Sequence, residues 1–429
     1  MRLPSKRLFW AVSLGHTTND IFMSMRSVLL AFISAYVLPM SNRQIGLAIS
    51  AGELVGAFSQ PFFGWLADKT GGRWVGALGV AWTVSGIMIA MLVVAAGGSY
   101  WLMLIPLALA ALGSGAFHPV GSMHAAESDK LRAASNTAIF FMFGQVGLGL
   151  GPALAGLLLN NAHTRYNDLF GPALGPAFKG IFIESGSVTP VLLLWLLVIP
   201  APLLMALVIP SRRHEQAAQR PAADDGPARL SLPMKALLIL AMAVLLRSLA
   251  NPATVSFIPR LFQLKGWSPA EYGLLTSSFW IASGVAGVLF GYLANRFDLR
   301  FIITGGLALA SPAIFLLPAL GGGLAFVLAI VIGALSGGSH SLIVVLAQAL
   351  MPGRKGLASG AILGFIFATG AVGNLIIGDL ADRIGAAATF QVIGVVTLAA
   401  SFLWLALPAP KKQSAAPSLE GAARRMEKA

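Results

Sequence analysis

The sequence contains a series of apolar segments, each about 20 residues long, the length that crosses the hydrocarbon core of a bilayer as an α-helix. Short stretches rich in Gly, Pro and charged residues separate these segments. Backbone polar groups in a bilayer must find partners within the segment, so a chain of this kind folds as a bundle of helices. The twelve predicted spans are 8–38, 43–66, 74–96, 100–124, 132–159, 189–209, 234–262, 269–294, 301–319, 324–350, 356–379 and 386–407.

Composition supports a membrane protein and excludes other classes. Hydrophobic residues make up 57% of the chain and charged residues 10%, whereas soluble domains carry about 25% charged residues. The chain has no cysteine. Disulfide frameworks, thiolate metal sites and cysteine nucleophiles are therefore excluded.

The distribution of basic residues predicts the orientation of the chain. The 29 Lys and Arg residues outnumber the 16 Asp and Glu residues and give a net charge of +13. With both termini cytoplasmic, 21 basic residues fall in cytoplasmic segments, six in outer segments, and two, Arg26 and Arg247, within spans. This asymmetry follows the positive-inside rule, so it predicts cytoplasmic termini and argues against a nucleic-acid partner.

The spans divide into two six-helix bundles. The N-terminal bundle occupies residues 1–210 and the C-terminal bundle residues 234–408, with a cytoplasmic linker at 211–233. The tail at 409–429 is charged and Ala-rich, and we expect it to be disordered. The outer loop 160–189 carries Gly, Pro and aromatic residues, and the sequence assigns it no role.

The two halves repeat each other in sequence. An offset of 227 aligns the segment 64–73 with 291–300, and an offset of 222 aligns His118 with His340. Both copies run in the same direction. This predicts parallel repeats related by an axis along the membrane normal.

The segment 64–73 reads Gly-Trp-Leu-Ala-Asp-Lys-Thr-Gly-Gly-Arg and lies between spans 2 and 3. With twelve spans in parallel halves, it resembles the major facilitator superfamily of transporters. More narrowly, Gly-His-Thr-Thr-Asn-Asp at 15–20 and Phe-His-Pro at 117–119 resemble the fosmidomycin-resistance branch of efflux transporters. The resemblance implies an all-α membrane protein that works by alternating access around a cavity lined by spans 1, 4, 7 and 10.

The segment 64–73 also has chemistry of its own. Asp68 at the cytoplasmic end of span 2 can accept hydrogen bonds and face a positive helix N-terminus. We predict a latch that closes the cytoplasmic side; the alternative is a merely topogenic basic loop. The similar segment 378–383 falls on the outer side and is not assigned this role. The predicted gate residues are Gly64, Asp68, Lys69, Arg73, Asn295, Arg296 and Arg300.

Span 5 is rich in small residues that allow helices to approach closely. Gly147, Gly151, Pro152 and Gly156 resemble the antiporter motif of the superfamily, which implies efflux by exchange. The alternative is generic close packing of span 5 against its neighbours.

Asp20 and Glu53 are the only acidic residues deep within the spans. An ionisable residue there costs roughly 2.5–3.5 kcal/mol on insertion scales, so each is a candidate for function. His16 shares a helix face with Asp20 through i,i+4 spacing, and the predicted proton-coupling residues are Asp20, Glu53 and His16. The offset of 227 sets Arg247 opposite Asp20, which suggests an ion pair that protonation would open. Alternatively, Glu53 forms a structural bridge with Arg26.

The predicted substrate-binding residues are Asn19, Arg26, His118, Arg247 and His340. For His118 and His340 the alternative is a hydrogen-bonded packing role. No metal is expected, because the histidines come from separate spans without local ligand spacing. The sequence contains no recognisable phosphate-binding loop and no recognisable Ser-His-Asp set. We therefore expect neither ATP-driven transport nor catalysis.

The sequence therefore predicts a proton-coupled secondary transporter of the bacterial inner membrane, with no cofactor beyond the proton gradient. The favoured activity is export of a small anionic or amphipathic compound in exchange for protons, by a monomer. The first alternative is proton-coupled uptake of an organic anion, with Arg26 and Arg247 as an anion clamp. The second is a membrane sensor or receptor that does not transport.

Overall fold

The computed structural model describes residues 6–129, 133–160, 187–210, 234–294, 296–350 and 355–408. These residues form helices and no strands, as an all-α membrane protein requires. The predicted linker 211–233, the predicted tail 409–429, Asn295 and residues 161–186 of the outer loop lie outside the described residues.

Twelve long helices account for the described chain. They are α1 (Arg7–Tyr36), α2 (Asn42–Thr70), α3 (Arg73–Ala95), α4 (Tyr100–Glu127), α5 (Ala133–Leu159), α6 (Thr189–Val208), α7 (Met234–Leu264), α8 (Pro269–Leu293), α9 (Leu299–Ala319), α10 (Gly322–Ala347), α11 (Lys355–Ile384) and α12 (Ala386–Ala406). By length and composition, α3 to α12 are the ten described helices apolar enough to cross a membrane. The helices α1 and α2 have 30 and 29 residues, but their polar side chains lower the mean hydropathy. The fold is consistent with twelve spans.

Equivalent helices of the two halves begin in the same way. Ser41 caps α2 and exchanges hydrogen bonds with Gln44 in a capping box. Ser268 caps α8 and does the same with Glu271. Each box satisfies backbone groups that the first helical turn leaves unpaired. The match of Ser41 with Ser268 at an offset of 227 thus reflects two copies of one helix start.

Two helices of the C-terminal half depart from regular α geometry near the centre of the bundle. In α7 a π-turn covers Leu249–Ala253 and contains Pro252. In α10 a π-turn covers Gly333–Gly337. Such turns are frequent at functional sites because they redirect backbone groups and side chains locally.

The two halves contact each other through α2 with α11 and through α5 with α8. We call the end of the bundle that holds the connection 37–41 the far end, and the end that holds the segment 64–73 the loop end. At the far end the packing is close, since a Cβ on Gly273 would lie 2.5 Å from the carbonyl oxygen of Pro152. Within the described ranges, the inter-half hydrogen bonds join Asp382 to Asn42 and Arg43, Arg260 to Ser34 and Asn42, Ala371 to Ser50, and Asn374 to Glu53.

The halves separate toward the loop end. A Cβ on Gly287 or Gly291 of α8, or on Gly364 of α11, would meet nothing within 4 Å. The side chain of Phe58, on the loop-end half of α2, is 77% exposed. Among the described residues, the two halves are therefore in contact at the far end and apart at the loop end.

Candidate functional site

A buried cluster of two histidines and one carboxylate lies where α1 meets α4. His16 and Asp20 are one turn apart on α1, and His16 Nε2 lies 3.3 Å from Asp20 Oδ2. His118 on α4 places its Nε2 atom 3.7 Å from Asp20 Oδ1. The side chains of His16 and Asp20 are 3% and 10% exposed, whereas that of His118 is 26% exposed. The fold thus joins two predicted proton-coupling residues to a predicted substrate-binding residue.

Backbone carbonyls fix which nitrogen of each imidazole carries hydrogen. His16 Nδ1 lies 2.9 Å from the carbonyl oxygen of Phe140, and His118 Nδ1 lies 2.9 Å from that of Ser114. A carbonyl oxygen only accepts, so both Nδ1 atoms donate. Both Nε2 atoms therefore face the Asp20 carboxylate, either as lone pairs or as additional N–H donors.

Asn19 supports the carboxylate from the same helix. Its Nδ2 atom donates to Asp20 Oδ1 at 2.9 Å and to Ser114 Oγ at 3.1 Å. The hydroxyl of Thr83, on α3, donates to Asn19 Oδ1 at 3.0 Å. The amide of this predicted substrate ligand is therefore occupied by Asp20, Ser114 and Thr83.

The cluster has the ligand types of a metal site. The ligand atoms of His16, Asp20 and His118 all lie within 4.8 Å of one another. The expectation of no metal rested on the separate spans of the histidines, and that reason fails because α1 and α4 bring them together. Ligand atoms at about 2.0–2.2 Å from a tetrahedral Zn²⁺ ion lie about 3.3–3.6 Å apart, which is close to the distances of 3.3 and 3.7 Å from the Asp20 oxygens to the two Nε2 atoms. The spacing therefore does not separate a metal ion from a proton, and the absence of a metal stays a prediction.

The glycines of α5 allow this helix to approach the cluster on α1. A Cβ on Gly144 would lie 2.5 Å from the His16 ring and 2.9 Å from Asp20 Oδ2. A Cβ on Gly147 would lie 2.5 Å from the carbonyl oxygen of Thr17 and 2.9 Å from Asp20 Cβ. Glycine at these positions is therefore a condition for packing α5 against the cluster.

The rest of the predicted antiporter-like motif faces two helices. Gly151 contacts Ile21 of α1, whereas Gly156 and Pro152 contact Gly273 and its neighbours on α8. The motif therefore links α1, which carries the cluster, to the C-terminal half.

Glu53 lies at the level where the halves part. Its Oε2 atom accepts a hydrogen bond from Asn374 Nδ2 of the other half at 3.2 Å. Arg26 interacts with Glu53 through charge but does not form a close ion pair with it. Arg26 is 6% exposed, and among the described residues its Nη1 atom has no hydrogen-bond partner. Glu53 is thus bonded to the opposite half, and the expected bridge to Arg26 exists only at longer range.

Arg247 is a buried cation with incomplete hydrogen bonding. Its side chain, on α7, is 1% exposed, and Nη2 donates to the carbonyl oxygen of Ser336 at 3.1 Å. In the described part of the chain, Nε and Nη1 have no hydrogen-bond partner. His340 on α10 is close enough to interact with this charge.

The suggested ion pair between Asp20 and Arg247 does not form in this structure. Asp20 is within ion-pair distance of His16 and His118, and Arg247 is bonded to Ser336. Pseudosymmetry places equivalent residues on equivalent helices, but it does not bring them into contact. The carboxylate instead lies closest to His16, one turn away on its own helix.

The predicted gate residues of the N-terminal half cluster at the loop end. The helix α2 ends at Gly71, where φ is 79°, and the carbonyl oxygen of Gly71 lies 3.2 Å from His124 Nε2 of α4. Lys69 Nζ lies 4.0 Å above the ring of Trp65. Gly64 faces Pro119 of α4. These contacts all lie within one half.

Asp68 and Arg73 border the same turn. Asp68 lies near the end of α2, and Arg73 begins α3, where its guanidinium stacks 5.3 Å from the ring of Trp74.

The equivalent residues of the C-terminal half also contact their own half. Arg296 Nη2 donates to the hydroxyl of Tyr292 at 2.9 Å. Arg300 pairs with Asp298 at 2.8 Å and donates to the carbonyl oxygen of Leu407 at 2.6 Å. The hydrogen bond from Arg300 holds the pKa of Asp298 below its ordinary value. The described contacts of these residues do not reach the N-terminal half.

Asp382 lies in the segment 378–383, to which the sequence assigns no gate role, yet it is a functional candidate. Its carboxylate on α11 accepts hydrogen bonds from the backbone N–H groups of Asn42 at 2.8 Å and Arg43 at 2.9 Å. These groups begin α2 of the opposite half. The motif-like segment 378–383 was the available signal, and its outer position had argued against a role.

Comparisons with known proteins agree with this architecture. The family model of the Major Facilitator Superfamily matches residues 12–166 and 236–427. The Fosmidomycin resistance protein of Escherichia coli (strain K12) is 26% identical over 395 residues, which cover 90% of this chain and 89% of that protein. The MFS-type transporter YfnC of Bacillus subtilis (strain 168) is 26% identical over 407 residues, which cover 94% and 92%.

Solved structures share the fold. The crystal structure of a bacterial homologue of the human lysosomal transporter Spinster, in an inward-facing and occupied conformation, has a TM-score of 0.71 at 17% identity and covers 93% of this chain and 96% of that chain. The crystal structure of the nucleoside transporter NupG has a TM-score of 0.67 at 14% identity and covers 93% and 98%. The family match spans most of the chain and both halves of the bundle, so this multi-pass membrane protein belongs to the Major Facilitator Superfamily of transporters and resembles its fosmidomycin-resistance branch.

Proposed function

We propose that this chain exports a small anionic or amphipathic compound in exchange for protons, as a monomer in the bacterial inner membrane. The proton gradient supplies the energy, and alternating access moves the cargo. The observation that carries this proposal is the pair of buried ionic sites, one for a cation and one for an anion, in opposite halves.

The cation site is the cluster at His16, Asp20 and His118. Two imidazole Nε2 atoms and a carboxylate converge within 3.3 and 3.7 Å, while both Nδ1 hydrogens are directed at carbonyls. Without an added proton, nitrogen lone pairs would face carboxylate lone pairs in a buried site, which is unfavourable. The cluster is therefore built to hold a proton.

The anion site is centred on Arg247. A guanidinium cannot shed its charge, so a buried guanidinium requires a carboxylate, an anion or water. No carboxylate lies within ion-pair distance of Arg247 among the described residues, and two of its nitrogens have no partner there. The anionic group of a substrate would complete this set, and His340 lies within electrostatic range of Arg247.

The separation of the halves at the loop end supports alternating access. If the loop end is cytoplasmic, as the basic residues predict, this arrangement would be an inward-open state. Small residues of α5 at the inter-half contact, the likeness to the antiporter motif, and the relative named for fosmidomycin resistance all support export.

Proteoliposomes that contain the full chain and a pH-sensitive dye test the proposal. Fosmidomycin and a panel of simple carboxylates are the probes. We expect at least one probe to drive proton movement in the direction opposite to its own flux. No proton movement with any anion, although the probe itself crosses the membrane, would contradict proton coupling.

Two variants locate the sites. Asp20→Asn should abolish uphill transport and retain downhill exchange, because the charged half of the proton site is lost. If Asp20→Asn still concentrates the probe, Glu53 becomes the proton site. Arg247→Ala should weaken anion binding about 10- to 100-fold, the cost of losing a hydrogen bond to a charged group. Arg383→Ala is the control, because this arginine is 72% exposed and pairs with Asp379 on its own helix.

Uptake of an organic anion with protons is the second candidate. It is favoured by Arg26, whose Nη1 atom has no hydrogen-bond partner among the described residues and could add a second cationic contact. Proton and probe would then move in the same direction in the assay, which separates uptake from exchange.

A further inference from the structure

We propose that His118, rather than Asp20, is the residue that exchanges the coupling proton with the cavity. Asp20 stays ionised as the shared counter-ion, and His16 fixes its position. This inference rests on the proposed proton coupling and assigns the proton to one atom, Nε2 of His118.

The three members of the cluster differ in access. His118 is 26% exposed, against 10% for Asp20 and 3% for His16. The His16 ring is stacked 4.2 Å from the ring of Phe140 and borders Gly144 of α5. A proton that arrives from the cavity therefore reaches His118 first.

The members also differ in how firmly they are held. Both oxygens of Asp20 have partners, since Oδ1 accepts from Asn19 at 2.9 Å and Oδ2 lies 3.3 Å from His16 Nε2. The distance of 3.7 Å between His118 Nε2 and Oδ1 exceeds a hydrogen bond. His118 Nε2 is thus the loosest of the converging atoms, and it can bind or release a proton without breaking a hydrogen bond to the carboxylate.

The surroundings of His118 leave few competitors for the proton. Asp20 and His16 are the charged groups that interact with it among the described residues. The neighbouring α5 presents Gly144 and the carbonyl of Phe140 to the cluster, and α3 presents the hydroxyl of Thr83 to Asn19. None of these groups ionises.

The proton balance is simple. In the loaded state His118 carries hydrogen on both nitrogens, with Nδ1–H donated to Ser114 and Nε2–H directed at the carboxylate of Asp20. On release the Nε2 proton passes to cavity water, and His118 remains with hydrogen on Nδ1. Asp20 is a carboxylate in both states, and the number of protons on His16 does not change.

Infrared difference spectroscopy of the full chain in lipid nanodiscs, between about pH 8 and about pH 5, tests this assignment. Acidification should produce imidazolium bands that shift when histidine is ring-labelled with ¹⁵N and that decrease in His118→Gln but persist in His16→Gln. A carboxylic-acid carbonyl band that disappears in Asp20→Asn would overturn the inference while leaving proton coupling intact.

If the imidazolium bands are unchanged in His118→Gln, the inference is wrong. The proteoliposome assay of proton flux then shows, independently of the infrared spectra, whether proton coupling itself survives. The ¹⁵N-labelled wild-type chain shows, without any substitution, whether acidification protonates a carboxylate or an imidazole. A variant that fails to fold therefore does not remove the test.

Discussion

Asp382→Ala should shift the conformational equilibrium toward a state that is open at the far end. In the structure this carboxylate accepts hydrogen bonds from the N–H groups of Asn42 and Arg43, at 2.8 and 2.9 Å. These groups belong to the first turn of α2, where helices leave N–H groups unpaired, and where a negative charge also meets the positive end of the helix dipole.

The magnitude follows from the exposure of the carboxylate. Asp382 is an exposed residue, so water replaces part of what the substitution removes. Loss of an acceptor at a helix N-terminus typically costs about 1 kcal/mol. The two groups separate when the halves part, so that energy acts on the equilibrium between states. An energy of about 1 kcal/mol changes their ratio roughly fivefold.

Spin-label distance measurements can detect a shift of this size, and the chain has no native cysteine to interfere. Labels at Ala96 and Gly321, which are exposed at the far end of opposite halves, should report a larger long-distance fraction in Asp382→Ala. Labels at Thr70 and Phe297, which are exposed at the loop end, should report a smaller long-distance fraction in the same variant.

Asp379→Ala is the matched control for Asp382→Ala. Asp379 lies one turn earlier on α11 and pairs with Arg383 of the same helix at 2.7 Å. We expect the control to leave both distributions unchanged. An unchanged distribution in Asp382→Ala, or an equal shift in Asp379→Ala, would refute the reasoning.

Three further predictions concern packing and gating. Gly147→Leu drives a side chain into the backbone of α1 and should destabilise the protein by about 1–3 kcal/mol in thermal unfolding in detergent, whereas Gly287→Leu, which meets nothing within 4 Å, should not. Asp68→Ala should raise the inward-open population reported by the loop-end labels, and an unchanged population would leave the loop only a topogenic role. Glu53→Gln keeps an acceptor for Asn374 and should retain proton-coupled flux in proteoliposomes. Loss of that flux in the variant would make Glu53 a proton carrier.

The length of the apolar runs predicted the helices well because the bilayer demands long helices whatever the tertiary packing. The span predicted at 8–38 is α1 at Arg7–Tyr36. The span predicted at 43–66 continues to Thr70, since polar residues near its end remain helical until Gly71, where φ is 79°. A hydropathy boundary marks the end of the apolar run, and the backbone conformation marks the end of the helix.

The site was only partly predictable. Helical spacing correctly placed His16 and Asp20 on one face, because i,i+4 geometry is local. That His118 joins them from α4 depends on how α1 and α4 pack, and nothing in the local sequence encodes it. The pairing of Asp20 with Arg247 was inferred from an alignment offset, which carries no distance information.

Asp382 shows a different limit of motif reading. The predicted topology places the segment 378–383 at the outer end, where a cytoplasmic latch would have no function. The structure shows that its acid does there what the latch motif was expected to do at the cytoplasmic end: it meets the start of a helix from the opposite half. The chemistry of a carboxylate at a helix start does not depend on the side of the membrane.

The separation of Asp20 from Arg247 bears on the choice between exchange and uptake. If the two formed an ion pair, protonation of Asp20 would release Arg247 for an anion, and proton and anion would bind together, as in symport. In the structure each group is engaged within its own half, so that direct coupling is absent. The two sites then influence each other through the equilibrium between inward-open and outward-open states, which both ligands bias reciprocally. Export in exchange for protons requires each ligand to weaken binding of the other, whereas uptake requires each to strengthen it. The sign of the change in anion affinity on acidification therefore distinguishes the two mechanisms.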